Sequence, residues 1–223
     1  MMTNLKAILL GTAGAVALTG AAMAQTTASA TTELNVRSGP GPNYEVIGAI
    51  PADGQVTVNG CTETGNWCQV TMDGKTGWSY AQYLTSDYEG QRVVVVEQRE
   101  ALNVPVATYD GAEATGVVTG AAGGAVAGAL IGGPVGAAVG GVAGAALGGG
   151  TGDALSPDDR VVTYVRDNRV DPVYLDGEVV VGAGVPDTVE LREIPDYDYR
   201  YAYVNGQPVL IEPSNRQIVY VVR

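Results

Sequence analysis

The sequence predicts a mainly β protein that carries a helical hairpin: a small β-barrel, then an αα-hairpin, then a small β or α+β domain. Three observations predict it. Between Thr31 and Thr85, short β-prone runs alternate with Gly, Pro and Asn. From Gly116 to Gly152, glycine returns at every fourth residue. Beyond Asp153, charged and β-prone runs resume and close on Asn205-Gly206 between two apolar segments.

Ahead of these elements, Met1 to Lys6 carries one positive charge and leads into an apolar run from Ala7 to Ala22 that ends on Ala22-Met23-Ala24. This order is that of a secretory signal peptide over 1–24, with Ala28-Ser29-Ala30 as a weaker second exit. The apolar part is shorter than the ~20 residues a membrane span needs. Expected localisation follows: exported, in the periplasm or the membrane-associated envelope of a Gram-negative bacterium.

The chain holds 12 basic and 24 acidic residues, a net charge of −12, and no histidine. Without residues 1–24, which include Lys6 and no acid, the charge is −13. With no basic stripe to displace phosphate counterions, nucleic acid is excluded as a partner. Lacking histidine, the chain has no Ser-His-Asp or Cys-His centre and no histidine-bound metal, so neither a metal nor any other cofactor is expected. Cys61 and Cys68 are the two cysteines, and the six residues between them contain a turn signal at Gly65-Asn66. In an exported protein this spacing reads as a hairpin disulfide stabilising the fold by roughly 2–3 kcal/mol. Carboxylate catalysis would have to use unclustered acids such as Asp158, Asp159, Asp196 and Asp198. The chain is therefore not expected to be an enzyme.

The barrel runs over 31–86. Its opening Leu34-Asn35-Val36-Arg37-Ser38-Gly39-Pro40-Gly41, followed by Asn43-Tyr44, Trp67-Cys68-Gln69-Val70, Gly77-Trp78 and Tyr83-Leu84, resembles the bacterial SH3-like (SH3b) domain. That resemblance implies a binding or targeting module of cell-wall and envelope proteins. Tyr44, Trp67, Trp78, Tyr80 and Tyr83 are the candidates for a ligand surface, with core packing as the alternative role of each. Gly39 and Gly41 are expected to give the backbone freedom for the turn beside Pro40. Residues 87–115 read as an acidic linker with a strand at Arg92 to Glu97.

The uncharged stretch 116–152 places Gly116, Gly120, Gly124, Gly128, Gly132, Gly136, Gly140, Gly144 and Gly148 along one helix ridge, where another backbone can approach. Gly132-Gly133-Pro134 divides it into arms over 116–131 and 134–147. At 1.5 Å per residue each arm is ~21–24 Å long, short of a ~30 Å hydrocarbon core. The period resembles the glycine-zipper segments of bacterial envelope proteins, which implies membrane association through 116–148 or homo-oligomerisation. A soluble hairpin packed on itself, or a low-complexity linker, has the same period.

Over 153–223 the sequence predicts strands at Val161 to Val165, Val173 to Leu175, Glu178 to Val181 and Val189 to Leu191. Tyr197, Tyr199, Tyr201 and Tyr203 would line one face of a further strand, followed by strands at 208–212 and 217–222. The phrase from Tyr199 to Val219 resembles a C-terminal domain of unknown function in exported Gram-negative proteins. Together these features lead to an envelope binding or scaffold protein whose barrel takes a peptide, a peptidoglycan component or an envelope protein. The alternatives are a membrane-perturbing or pore-forming oligomer built on the zipper, and an accessory to a cell-wall hydrolase.

Overall fold

The computed structural model describes residues 26–109 and 156–223. The signal peptide expected over 1–24 and the glycine-zipper hairpin expected over 116–152 lie outside the described residues.

Eight antiparallel strands form the first sheet: β1 (Thr26–Ala30), β2 (Leu34–Arg37), β3 (Val46–Ile50), β4 (Gln55–Cys61), β5 (Trp67–Met72), β6 (Lys75–Tyr80), β7 (Leu84–Tyr88) and β8 (Gln91–Val94). Their order is β3-β2-β6-β5-β4-β1-β7-β8. Period-two alternation turns Leu34 and Val36, Val56 and Val58, and Val70 inward, where they meet Ile50 and Leu84. At roughly 1.5–3 kcal/mol for each large aliphatic side chain buried, this interior is the main support of the barrel. Asp73-Gly74 and Glu89-Gly90 reverse the chain with positive φ at both positions, as two-residue hairpins that follow the sheet's twist require.

The sheet extends past the expected barrel at both ends. β1 begins at Thr26 and pairs with both β4 and β7, with Ala28 and Ala30 fully buried. The second exit motif, Ala28-Ser29-Ala30, is thus an internal strand, and a cut there would remove it from the sheet. Much of the expected linker is folded as well. β7 and β8 form a hairpin, Val95 and Val104 are buried, and Cys61 exchanges backbone hydrogen bonds with Pro105 and Ala107 at 2.9 and 2.8 Å.

The second part comprises α1 (Asp159–Asp167) and the sheet β9 (Arg192–Glu193), β10 (Arg200–Val204), β11 (Gln207–Glu212) and β12 (Gln217–Val221), in the order β12-β11-β10-β9. The strand expected at Val161 to Val165 is instead the helix. Its β-branched residues favour a strand, but Val161, Tyr164 and Val165 share one helical face, and that face packs on the sheet. Among the described residues α1 is the single α-helix.

The strands expected at Val173 to Leu175, Glu178 to Val181 and Val189 to Leu191 are also absent. These residues form an irregular but buried run, broken by positive φ at Gly177 (107°) and Gly182 (89°), so no ladder propagates. Its polar groups are satisfied one at a time: Val173 N–H donates to Tyr203 at 2.8 Å, and Leu175 N–H to Asn205 Oδ1 at 2.8 Å. The Asn205-Gly206 hairpin is as expected, with φ of 51° and 78°.

The four-stranded sheet has two packed faces. Tyr201, Tyr203, Leu210 and Val219 meet α1. Ala202, Val204, Val209, Ile211 and Ile218 face the other way and join the barrel's interior through Leu175, Val179, Val180 and Val185. The two parts therefore share one hydrophobic core.

Candidate functional site

β2 lies where the two parts meet, which explains why all four of its residues are buried. Leu34 and Val36 point into the barrel, so Asn35 and Arg37 must point the other way, towards the C-terminal part. A guanidinium 1% exposed needs a charged partner and filled donors. Glu178 supplies both oxygens: Arg37 Nε donates to Oε2 at 2.6 Å and Nη2 to Oε1 at 2.6 Å. The pair is bidentate, and its side chains are 1% and 0% exposed. Arg37 Nη1 donates to the carbonyls of Pro42 and Tyr44 at 3.0 and 2.8 Å, which pins the 38–45 turn, and to Asn205 at 3.3 Å.

Asn35 completes the network. Its Nδ2 donates to Glu178 Oε1 at 3.1 Å and to Gln207 Oε1 at 2.8 Å, while its Oδ1 accepts from Arg223 at 3.3 Å. Asn35, Arg37, Glu178 and Gln207 are all missed as a constellation by sequence reasoning. The available signal was a charged residue inside a strand whose other face is apolar.

The five aromatic candidates fall into two groups. Tyr44 lies over the 38–45 turn, where a Cβ added to Gly39 would stand 2.4 Å from its ring and one on Gly41 3.3 Å. Neither glycine has positive φ. The close approach of Tyr44, rather than conformational freedom, is what requires glycine there. Tyr109 joins Tyr44 and Trp78, its ring centroid 5.4 and 5.8 Å from theirs in edge-to-face geometry.

Trp67, Tyr80 and Tyr83 form the second group, with centroids 5.5 Å apart for Trp67–Tyr80 and 6.1 Å for Tyr80–Tyr83. Trp67, Trp78 and Tyr83 are buried, whereas Tyr44 and Tyr80 keep part of their surface in water. Burial raises the pKa of the Tyr83 hydroxyl well above its usual 10.0, helped by Tyr80 and Glu178. Tyr80 is raised as well, by burial and then by Asp176 and Glu178. The C-terminal part thus contributes the negative charge that faces this group.

The expected tyrosine face of the C-terminal part is packed inward. Tyr201 and Tyr203 are buried, and Tyr197 and Tyr199 lie partly buried against them. The hydroxyls of Tyr201 and Tyr203 donate to the carbonyls of Asn168 at 2.8 Å and Val165 at 2.9 Å, covering acceptors at the C-terminal end of α1. Asp158, Asp159, Asp196 and Asp198 are exposed.

Cys61 and Cys68 form the disulfide, as direct cross-strand partners with Cα atoms 3.9 Å apart. Gly65 reverses the chain between them with φ of 77°, and Thr62 N–H donates to Trp67 at 2.8 Å.

Residues 32–85 match the bacterial SH3 domain family. Residues 164–223 match a domain of unknown function, DUF1236. A protein of Bacillus subtilis (strain 168) named as an N-acetylmuramoyl-L-alanine amidase, YrvJ, is 38% identical over 61 residues, which are 27% of this chain and 11% of that protein. A protein of Listeria innocua named as an endopeptidase, p60, is 39% identical over 70 residues, 31% of this chain and 15% of its own length. The chain thus spans a small fraction of the curated relatives it matches, and the shared part is of SH3-domain length.

Proposed function

We propose that this chain is a non-enzymatic, exported cell-envelope binding and scaffold protein whose SH3 module holds a peptide or a peptidoglycan component. One observation carries the reading: the stretch shared with an amidase and an endopeptidase, as those proteins are named, is the SH3-length part and little else. Two otherwise different proteins that retain this module in common favour a shared target over a shared reaction, since a module repeated on unrelated catalytic parts supplies attachment.

The partly buried Tyr44 and Tyr80 offer the ligand surface on the barrel: Tyr80 packs edge-on against the buried Trp67, and Tyr44 against Tyr109, which in turn meets the buried Trp78. A ring held rigidly by neighbours and open on one side stacks on a sugar or an apolar peptide side chain at small entropic cost. The C-terminal part braces this module through Arg37 and Glu178, and the glycine period over 116–152 ties the protein to a membrane or to further copies of itself.

Co-sedimentation of the purified full chain with peptidoglycan sacculi tests the reading. Wild type is expected to pellet with sacculi, and Tyr44→Ala and Tyr80→Ala each to weaken this by roughly five- to tenfold, the loss of one stacking contact. Release of soluble wall fragments by the wild-type chain would contradict the non-enzymatic reading. Recovery in the supernatant at every sacculus concentration would contradict the wall ligand.

A further inference from the structure

A depression of about 380 Å³ lies where β1, β7 and β8 meet Leu102 and Gln55 of β4. Three hydroxyls in its wall have their protons committed inward. Thr26 Oγ1 donates to the Leu102 carbonyl at 2.8 Å, Thr85 Oγ1 to Ser29 at 3.3 Å, and Ser86 Oγ to Thr27 at 2.8 Å. A hydroxyl has one proton and two lone pairs, so each of these can face a ligand only as an acceptor.

Two charges line the depression beside Thr27, Ser29 and Gln55. Asp87 and Arg92 are cross-strand partners in the β7–β8 hairpin, and both line the depression. Arg92 has an ion pair with Asp53, but at 3.9 Å and with side chains 55% and 82% exposed it is a loose one that a ligand can replace.

From this arrangement we propose a second binding site, for a small zwitterion carrying a free ammonium and a free carboxylate on one carbon, an α-amino acid. An ammonium presents three donors and no acceptor, which matches these three hydroxyl acceptors beside the Asp87 carboxylate. Its carboxylate is met by the Arg92 guanidinium, a charge-assisted bond in a partly enclosed setting. The site shares no residue with the aromatic surface proposed for the wall ligand, so either can fail without the other.

The test is a titration of the full chain, followed by amide NMR shifts, with alanine, alaninamide and N-acetylalanine as probes. Alanine is expected to shift Thr26, Ser86 and Arg92, and removing either charge from the probe to weaken binding roughly tenfold. Arg92→Gln should abolish the preference for alanine over alaninamide, and Asp87→Asn the preference for alanine over N-acetylalanine. Both variants lie on an exposed hairpin and are expected to fold. Absence of shifts at tens of millimolar alanine, equal shifts from all three probes, or unchanged preferences in the variants would each overturn the proposal.

Discussion

Arg37 and Glu178, 141 residues apart, meet as a bidentate pair with both contacts at 2.6 Å and both side chains shut away from water. The first belongs to the segment matched by the SH3 family and the second to the part that follows the glycine period. Removing one partner leaves an uncompensated buried charge, which typically costs about 3–5 kcal/mol. Arg37→Met and Glu178→Leu are each expected to destabilise by about that much, and the two together to cost less than their sum by about 1–3 kcal/mol. Equilibrium urea unfolding of the four proteins closes the cycle.

The Cys61–Cys68 bridge closes a hairpin of sequence separation 7. Short loops gain least from closure, so replacing both cysteines by alanine is expected to cost roughly 2–3 kcal/mol and to leave the fold intact. Far-UV circular dichroism in urea, with and without reductant, measures the difference.

At the 38–45 turn, Gly39→Ala would push a methyl into the Tyr44 ring, where the gap is 2.4 Å. The expected cost is about 1–3 kcal/mol, typical of overpacking. In a Tyr44→Ala background the same substitution should be nearly neutral. A penalty that persists without the ring would mean that backbone conformation, not the ring, selects glycine there.

Tyr80 and Tyr83 have raised pKa values in the folded chain, chiefly through burial, against an ordinary value of 10.0. Between that value and the folded one, the unfolded chain binds fewer protons, so stability falls as pH rises. The contribution is complete below pH 10.0 and is lost progressively above it. Tyr83→Phe should flatten this alkaline loss, read as the urea midpoint against pH from neutral to alkaline conditions.

What the sequence made legible follows from locality. The barrel strands, the disulfide, and the hairpin at Asn205-Gly206 are written in alternation, cysteine spacing and turn residues, all of which act over a few positions. The valines of Asp159–Asp167 favour a strand locally, and the sheet that rewards the helix's amphipathic face lies further along the chain. The apolar residues that dominate the buried run around Glu178 have the pattern of strands, while the two positive-φ glycines that break it are visible only with backbone angles. The Arg37 network joins residues from three distant stretches, and no local pattern marks it. Of the five aromatic candidates, the sequence could not separate the three that are buried from Tyr44 and Tyr80, since period-two alternation alone does not say what covers the far side of a strand.

The SH3 module and the C-terminal part are one folded unit, joined by a common core and locked by Arg37 and Glu178. The most direct measurement is urea unfolding of the full chain followed by two probes: fluorescence of Trp67 and Trp78, both in the barrel, and hydrogen exchange of β10 to β12. The two probes are expected to give coincident transitions in wild type and to separate in Arg37→Ala. Separate transitions already in wild type, with the barrel indifferent to Glu178→Ala, would contradict the account.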